Sequence, residues 1–428
     1  MKHLFSALAV CVALGATAQL QHRCVYDKAL NRMEQRFPGY KQRVTQAFDD
    51  AKANSHAASR AATYNVGIVF HVLYTTPQEN VDDSVLFNQL KVLNEDYAHT
   101  NPDAGNVRAI FDSVADDTGI RFHIKQINRV ATSATFIDGL GFPLDSVIKS
   151  SANGGDDAVD PTHYLNIWIL KIEGGFLGNV LGLAYPPAGL SNWPANSAAQ
   201  YLGWEGVMVD YRTVGENNPV PYPDPSGGGG NLVIRGRTMV HETGHYFGLR
   251  HIWGDGGGFT GTNNCQQSDG IDDTPFANSQ SNFNCDKTRN TCSGVEAYYG
   301  INAPDMVENY MDYSEETCMN MFTRQQGALM RSVLEQQRSG LQEVAGITSF
   351  EALRLQLFPN PSAGAFTISG WKESAKVRVT SALGAGVAVQ AQPTAAGMQF
   401  QLQNAASGIY FVSVTSDGTT AVQRIVVE

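Results

Sequence analysis

Charge is scarce in this chain, and positive charge is scarcer still. Of 428 residues only 17% are charged, with 30 basic against 41 acidic side chains and a net charge of −11. No Lys/Arg cluster stands out, so a nucleic acid or an anionic membrane surface would meet repulsion. Nucleic-acid binding is excluded on that ground. Long apolar runs are also missing: past the N-terminus no stretch has the ~18 uninterrupted apolar residues that a membrane-spanning helix needs. Cysteine is sparse, at 6 residues, and residues 350–428 contain neither Cys nor His, so they carry no catalytic side-chain constellation.

What is present has a clear order. A hydrophobic fraction of 43% supports real cores, and 428 residues at ~150 per domain suggest two or three domains. Abundant glycine, 42 residues, implies long loops. Lys2 and His3 precede an apolar run at residues 4–12, and Ala16-Thr17-Ala18 follows with small residues. This is the layout of a secretory signal, with a mature chain expected from Gln19. Cys11 would leave with it. Cys265, Cys285, Cys292 and Cys318 fall in one stretch, and an oxidising compartment would join them as two disulfides in any of three connectivities. Cys24 is left over.

Residues 19–59 are polar and helix-prone, with Met33, Phe37, Tyr40, Val44 and Phe48 at helical spacing and a small-residue linker at the end. Strands are expected at residues 67–74, 120–127 and 165–172, and a helix at 81–97 with Leu86, Leu90, Leu93 and Tyr97 on one face. Interleaved strands and helices indicate an α/β arrangement. From residue 350 onward short alternating runs at 366–369, 377–380 and 410–415, with a hairpin turn at Ser416-Asp417-Gly418, indicate a small all-β module.

Residues 241–251 read His241-Glu-Thr-Gly-His245-Tyr-Phe-Gly248-Leu-Arg-His251. Positions four apart share a helix face, so His241 and His245 can offer both imidazoles to one ion. Glu242 lies beside that face, placed to touch a water on the ion and not the ion itself. Gly248 permits the sharp turn that ends the helix, and His251 can swing back as a third ligand. Three nitrogens leave a fourth position open, which is the geometry of a catalytic zinc site. The His-Glu-x-x-His core arises by chance in about one in a hundred such chains. With Gly and His at their offsets the rate falls to roughly a few in a hundred thousand. An amphipathic helix with incidental histidines is the weaker reading.

Downstream, Asn309-Tyr-Met311-Asp-Tyr313 places a methionine sixty residues past His251. An extended zinc motif followed by a methionine turn is the metzincin arrangement. With Asp269-Gly-Ile-Asp-Asp-Thr274-Pro275 and Cys318…Phe322-Thr323, the chain resembles the pappalysin family of metzincins over residues 64–341. That resemblance implies an α/β (α+β) catalytic domain in which a twisted sheet backs the active-site helix, and a secreted endopeptidase acting on proteins. One zinc ion would be bound by His241, His245 and His251, with Glu242 as general base and then acid. Met311 would lie beneath the metal, and Tyr313 would stabilise the oxyanion. One or two calcium ions are implied, at Asp269, Asp272 and Thr274 and at Asp305 and Asn309. The implied disulfides are Cys265–Cys292 and Cys285–Cys318.

The family resemblance also implies a latent precursor in which Cys24 blocks the zinc. In the resembled enzymes an acid two positions before the last disulfide cysteine forms the base of the pocket just past the scissile bond. Here that position holds Glu316, where the family pattern gives Asp, so cleavage is expected before Arg or Lys. Arg60 follows the linker, and maturation is expected at Ser59–Arg60.

The C-terminal stretches Leu357-Phe-Pro-Asn-Pro-Ser and Gly408-Ile-Tyr-Phe-Val-Ser-Val, with the ending Gln423-Arg-Ile-Val-Val-Glu, resemble the type IX secretion sorting domain. This implies handling by the outer-membrane secretion machinery of a Gram-negative bacterium. The expected organisation is a signal peptide at 1–18, a pro-segment at 19–59, a catalytic domain at 60–345 and a β-sandwich at 350–428. Two alternatives remain: a calcium-stabilised surface adhesin with a vestigial protease fold, and a metzincin of another subfamily, such as an astacin-like or matrixin-like enzyme. An intact Glu242 counts against the first, and Thr274-Pro275 with the paired acids before Cys318 against the second.

Overall fold

A computed structural model of the chain describes residues 24, 26–55, 63–134, 137–138, 147–174, 180–187, 205–224, 229–254, 265, 268–343, 354–372, 374–381, 386–416 and 419–428. The signal segment, Cys11, the Ser59–Arg60 bond and the turn residues Asp417 and Gly418 lie outside the described residues. Two compact units divide the chain, Met1–Gln342 and Glu343–Glu428.

In the first unit the N-terminal residues form helices α1 (Tyr26–Arg36) and α2 (Tyr40–Asn54), turned at Gly39 with φ +85°. The helical spacing gives a buried face of Met33, Tyr40, Val44 and Phe48, with Phe37 half-buried. Strand β1 (Tyr64–Tyr74) is parallel to β2 (Ile120–Ala131) and to β3 (Leu165–Leu170). Strand β4 (Gly182–Ala184) runs antiparallel to β5 (Val207–Asp210), which is parallel to β3. The order across the sheet is β2-β1-β3-β5-β4, so β4 stands at one end. Helix α3 (Asp83–Tyr97) joins β1 to β2. It begins two residues later than its periodicity suggests, because the Asp82 carboxylate caps it by accepting from the Ser84 amide. Two strand limits also differ from the local pattern. A register shift at Ile68/Val69 lets β2 keep pairing as far as Ala131. Strand β3 stops at Leu170 because the Ile172 amide turns to the Asp210 carboxylate, 2.9 Å away.

All six residues of β3 are buried, as both faces of a central parallel strand should be. Helix α4 (Arg237–Tyr246) and helix α5 (Arg324–Gln336) follow in the same unit. Helix α5 starts with a capping box between Thr323 and Gln326. Behind α4 lies a buried ion pair. Arg338 donates to Glu205 at 2.5 Å, and its guanidinium lies 3.6 Å from the ring centroid of Tyr246, the last residue of α4. Burial raises the Glu205 pKa and the Arg338 charge opposes that rise.

The second unit is all β. One antiparallel sheet has the order β10-β11-β7-β6, from β6 (Gln356–Phe358), β7 (Ala365–Ser369), β10 (Val389–Thr394) and β11 (Gly397–Leu402). The other has the order β9-β8-β12-β13, from β8 (Lys376–Ser381), β9 (Gly386–Val387), β12 (Gly408–Ser416) and β13 (Thr419–Val427). Alternation puts Tyr410, Val412 and Val414 of β12 into a core with Phe366, Ile368, Phe400 and Ile425. Hairpin β12–β13 pairs as far as Ser416 opposite Thr419. No helix among the described residues is long and apolar enough to cross a membrane.

Breaking a buried ion pair strands one charge. Arg338→Met should lower the unfolding free energy of the chain by about 3–5 kcal/mol. Arg338→Met combined with Glu205→Leu should recover most of the loss. Denaturant titration of the two variants checks this.

Candidate metal centre

Helix α4 is short, ten residues, and every one of them is buried. Its start is held from outside. Gly236, at φ +75°, turns the chain into the helix, and the Glu316 carboxylate accepts from the amides of Arg235 (2.6 Å), Arg237 (3.1 Å) and Thr238 (2.8 Å) and from the Thr238 hydroxyl (2.7 Å). An anion there satisfies orphan N–H groups and suits the helix dipole. Arg237, the first helical residue, pairs with Asp96 and Asp103. At the other end Gly248 takes φ +93° and the Leu249 amide returns to the Gly244 carbonyl, so the chain reverses and brings His251 back.

The result is three convergent imidazoles. His245 Nε2 lies 3.1 Å from both His241 Nε2 and His251 Nε2. His241 Nδ1 is bonded to the Tyr310 carbonyl at 2.6 Å and His245 Nδ1 to the Leu249 carbonyl at 2.8 Å. A carbonyl only accepts, so Nδ1 carries the proton in each ring and Nε2 presents a lone pair. Two lone pairs that face each other at 3.1 Å repel unless a cation lies between them. Zinc at about 2.0–2.1 Å from each nitrogen in tetrahedral geometry separates its ligands by about 3.3 Å, so this donor set fits zinc. Burial pushes the His245 pKa down to about 3 and, with its two neighbouring imidazoles, the His251 pKa well below its usual value, so both rings stay neutral and able to ligate.

Around this trio the other expected residues take definite places. Glu242 is fully buried beside His241. The Asn309 side chain accepts from the Met311 amide, which shapes the turn, and the Met311 sulfur lies where a side chain on Gly244 would begin, 2.6 Å from that position. The Tyr313 ring stands 5.6 Å from His241 and 5.0 Å from His251, centroid to centroid. Cys24 Sγ and the three histidine nitrogens all lie within 4.8 Å of one another, and the same sulfur is 3.3 Å from a Glu242 oxygen. The Tyr313 hydroxyl donates to the Cys24 carbonyl at 2.9 Å. Cys265 is bonded to Cys292 and Cys285 to Cys318.

The expected calcium ligands are dispersed. Asp269 and Thr274 meet, with the Thr274 hydroxyl 2.8 Å and 2.9 Å from the two Asp269 oxygens. Asp272 points outward to Lys52 of α2. Asp305 serves Thr291 and Arg289, while the Asn309 amide exchanges hydrogen bonds with Gln326. A cavity of about 180 Å³ opens beside the helix start. It is lined by Leu181, Leu232 and Phe283 and by the acids Asp224, Glu315 and Glu316. Glu316 borders it, but both its oxygens are engaged by the helix.

Several participants gave no local signal. Gly182, on β4, is one: a Cβ there would stand 2.6–2.9 Å from the Glu242 side chain. Trp253 stacks on His251 with centroids 4.4 Å apart, and Tyr26 stacks on His245 at 4.2 Å. Of these only Trp253, two residues past the motif, stood near enough in the chain to be noticed.

Histidines converging from a His-Glu-x-x-His helix above a methionine turn define a metzincin-type zinc peptidase. The family model described as pregnancy-associated plasma protein-A matches residues 234–335, and the one described as secretion system C-terminal sorting domain matches residues 356–428. Extracellular metalloprotease 1 of Coccidioides posadasii is 31% identical over 286 residues, covering 66% of this chain and 81% of the relative. A promirolysin variant from Tannerella forsythia superposes with a TM-score of 0.58 at 29% identity, covering 75% of this chain and 97% of that one. Mature mirolysin from the same organism, in complex with a cleaved peptide, gives 0.54 at 29% identity, covering 66% and 97%. The chain belongs to the pappalysin family of extracellular metalloproteases and is a metalloendopeptidase, for which the family implies zinc. The sorting-domain match and the extracellular relatives mark it as secreted or held at the cell surface.

The close approach at Gly182 generates a test. Gly182→Ala should displace the Glu242 carboxylate and, with Glu242 in the expected role of general base, lower kcat/KM by about 10²-fold or more. Zinc content and the melting temperature should stay near those of the unaltered enzyme. Peptide kinetics alongside metal analysis check it.

Proposed function

We propose that the chain is exported as a latent zinc endopeptidase and cuts protein substrates before basic residues. The observation that carries this reading is the joining of Cys24 to the three histidines and Glu242. Zinc held by His241, His245 and His251 would supply Lewis-acid polarisation of the scissile carbonyl and lower the pKa of a water. Glu242 takes the proton of the attacking water and passes it to the leaving amide nitrogen. Tyr313 donates to the oxygen on which negative charge develops. In support, its hydroxyl already donates to a peptide carbonyl, that of Cys24.

Latency follows from the same contacts. Cys24 brings its sulfur among the three histidine nitrogens, where it would take the fourth ligand position, while it occupies Glu242 and engages Tyr313 through its carbonyl, so base, oxyanion donor and open position would be blocked at once. Residues 19–59 would act as the pro-segment, released at Ser59–Arg60, after export directed by residues 1–18 and the C-terminal unit. A preference for Arg, and less for Lys, just past the scissile bond is supported by the acidic lining of the cavity beside α4. Glu316 supplies its field from beneath while it caps the helix, and Asp224 and Glu315 offer acceptors nearer the opening. The zymogen and the basic preference share one test. Cys24→Ala should make the precursor process itself faster than the unaltered chain, with a new N-terminus at Arg60. The products of a protein digest should begin mainly with Arg. Unchanged processing would remove the switch, and products beginning with apolar residues would remove the basic preference.

Calcium is proposed at Asp269 and Thr274, with Asp272 free to turn toward them only once Lys52 leaves with residues 19–59. Burial raises the Asp269 pKa to about 7, against about 3.9 for an unfolded chain. Between those values the native state binds more protons, so this group's stabilisation is full below about pH 4 and is lost as pH rises through 7. A bound cation would hold the carboxylate ionised and cancel that loss. Zinc-loaded enzyme should therefore melt at lower temperature at pH 7.5 than at pH 5.5 without calcium. Millimolar calcium should remove the difference, and Asp269→Asn should abolish the calcium response. Calorimetry in matched buffers reads all three.

A further inference from the structure

Strand β4 and its flanks give the cleft a direction. Leu181 lines the acidic cavity, and Gly182 faces Glu242. Pro186 and Pro187 line a second cavity with Gly248, Val333 and Tyr26. Along the chain Gly182, which faces Glu242, stands between Leu181 of the first cavity and Pro186 and Pro187 of the second, which points to cavities on opposite sides of Glu242. If the first takes the residue after the scissile bond, the second faces the residues before it.

The second cavity is nearly filled, and the filling is an aromatic ring. Tyr26 is 1% exposed. It lies parallel to His245, with centroids 4.2 Å apart and 14° between planes, and meets His251 edge-on at 5.7 Å. On the α4 side the walls are stiff: the two prolines have fixed φ, Gly248 takes a left-handed turn just past α4, and the His245 ring that Tyr26 covers is tethered to the Leu249 carbonyl. That side of the seat keeps its shape when its occupant leaves. Arg250, whose guanidinium lies 3.8 Å from the Phe48 centroid, lines the same cavity and offers a second face to a ring. Tyr26, Val44, Ala47 and Phe48 all belong to the segment proposed to be released, so release opens the cavity from that side.

We propose that the seat of Tyr26 becomes an aromatic-binding subsite in the activated enzyme, accepting Tyr, Phe or Trp at one of the three substrate positions before the scissile bond. This rests on the reading of residues 19–59 as a removable segment and of the acidic cavity as the site for the residue after the bond. A stacked ring pair of this kind is worth up to roughly tenfold in binding beyond its buried area.

The test uses activated enzyme whose N-terminus has been sequenced, with quenched peptides varied at the three positions before the bond. One set carries Arg after the bond and the other Ala. Aromatic residues should raise kcat/KM roughly tenfold over Ser at one of those positions, mainly through KM, in both sets. A flat response in enzyme lacking residues 19–59, or aromatic enrichment only after the bond, overturns the subsite. Retention of residues 19–59 in the active enzyme overturns it as well, because the seat would stay filled. An aromatic gain that persists while Arg and Ala are cut equally removes only the basic preference.

Discussion

The structure depends on holding the imidazole lone pairs of His241 and His245 3.1 Å apart, an arrangement that is repulsive by itself. Each support acts on that problem. The Tyr310 and Leu249 carbonyls fix the protons on the outer nitrogens, so the inner ones cannot relieve the repulsion by hydrogen bonding. Gly248 ends the helix where His251 can return, and Met311 closes the floor beneath Gly244. A cation converts this stored repulsion into affinity, and a site so preorganised loses little by closing on it.

Glu316 shows how one carboxylate can serve the frame more than the substrate. A helix of ten residues has a large share of its amides without intrahelical partners, and an anion at its start satisfies several of them together. Because those bonds take up both oxygens, the charge of Glu316 reaches the adjoining cavity as a field and not as an open acceptor. The Glu side chain is long enough for its two oxygens to reach the amides of Arg235, Arg237 and Thr238 together. The exposed Glu315 and half-buried Asp224 carry acidity to the cavity's outer part.

The metal centre was the most legible part of the chain because its chemistry is written at helical spacing. His241 and His245 must be one turn apart, and only a glycine-like turn at Gly248 returns His251. Central strands were legible for a similar reason, since β3 is buried on both faces and reads as a continuous apolar run. Limits set by distant partners were not. Strand β3 ends where it does because of Asp210, and β2 stays paired because it bulges at Lys125 opposite Ile68/Val69 of β1. The Glu316 grip spans roughly eighty positions of sequence. Gly182 looks like any other glycine until Glu242 is brought against it. Asp269, Asp272 and Thr274 share a short loop, yet in the folded chain Asp272 turns to Lys52 of α2 while Asp269 turns inward.

The position of β4 at the end of its sheet has a consequence for which proteins can be attacked at all. A sheet end offers backbone groups to a chain only if that chain is extended over several residues, and helices or well-paired strands cannot comply without local unfolding. Selection is thus conformational before it is chemical. Frayed termini, linkers and denatured polypeptides would be admitted more readily than compact folds. An enzyme released among its own copies is protected by the same filter, since most of its backbone is already committed to partners.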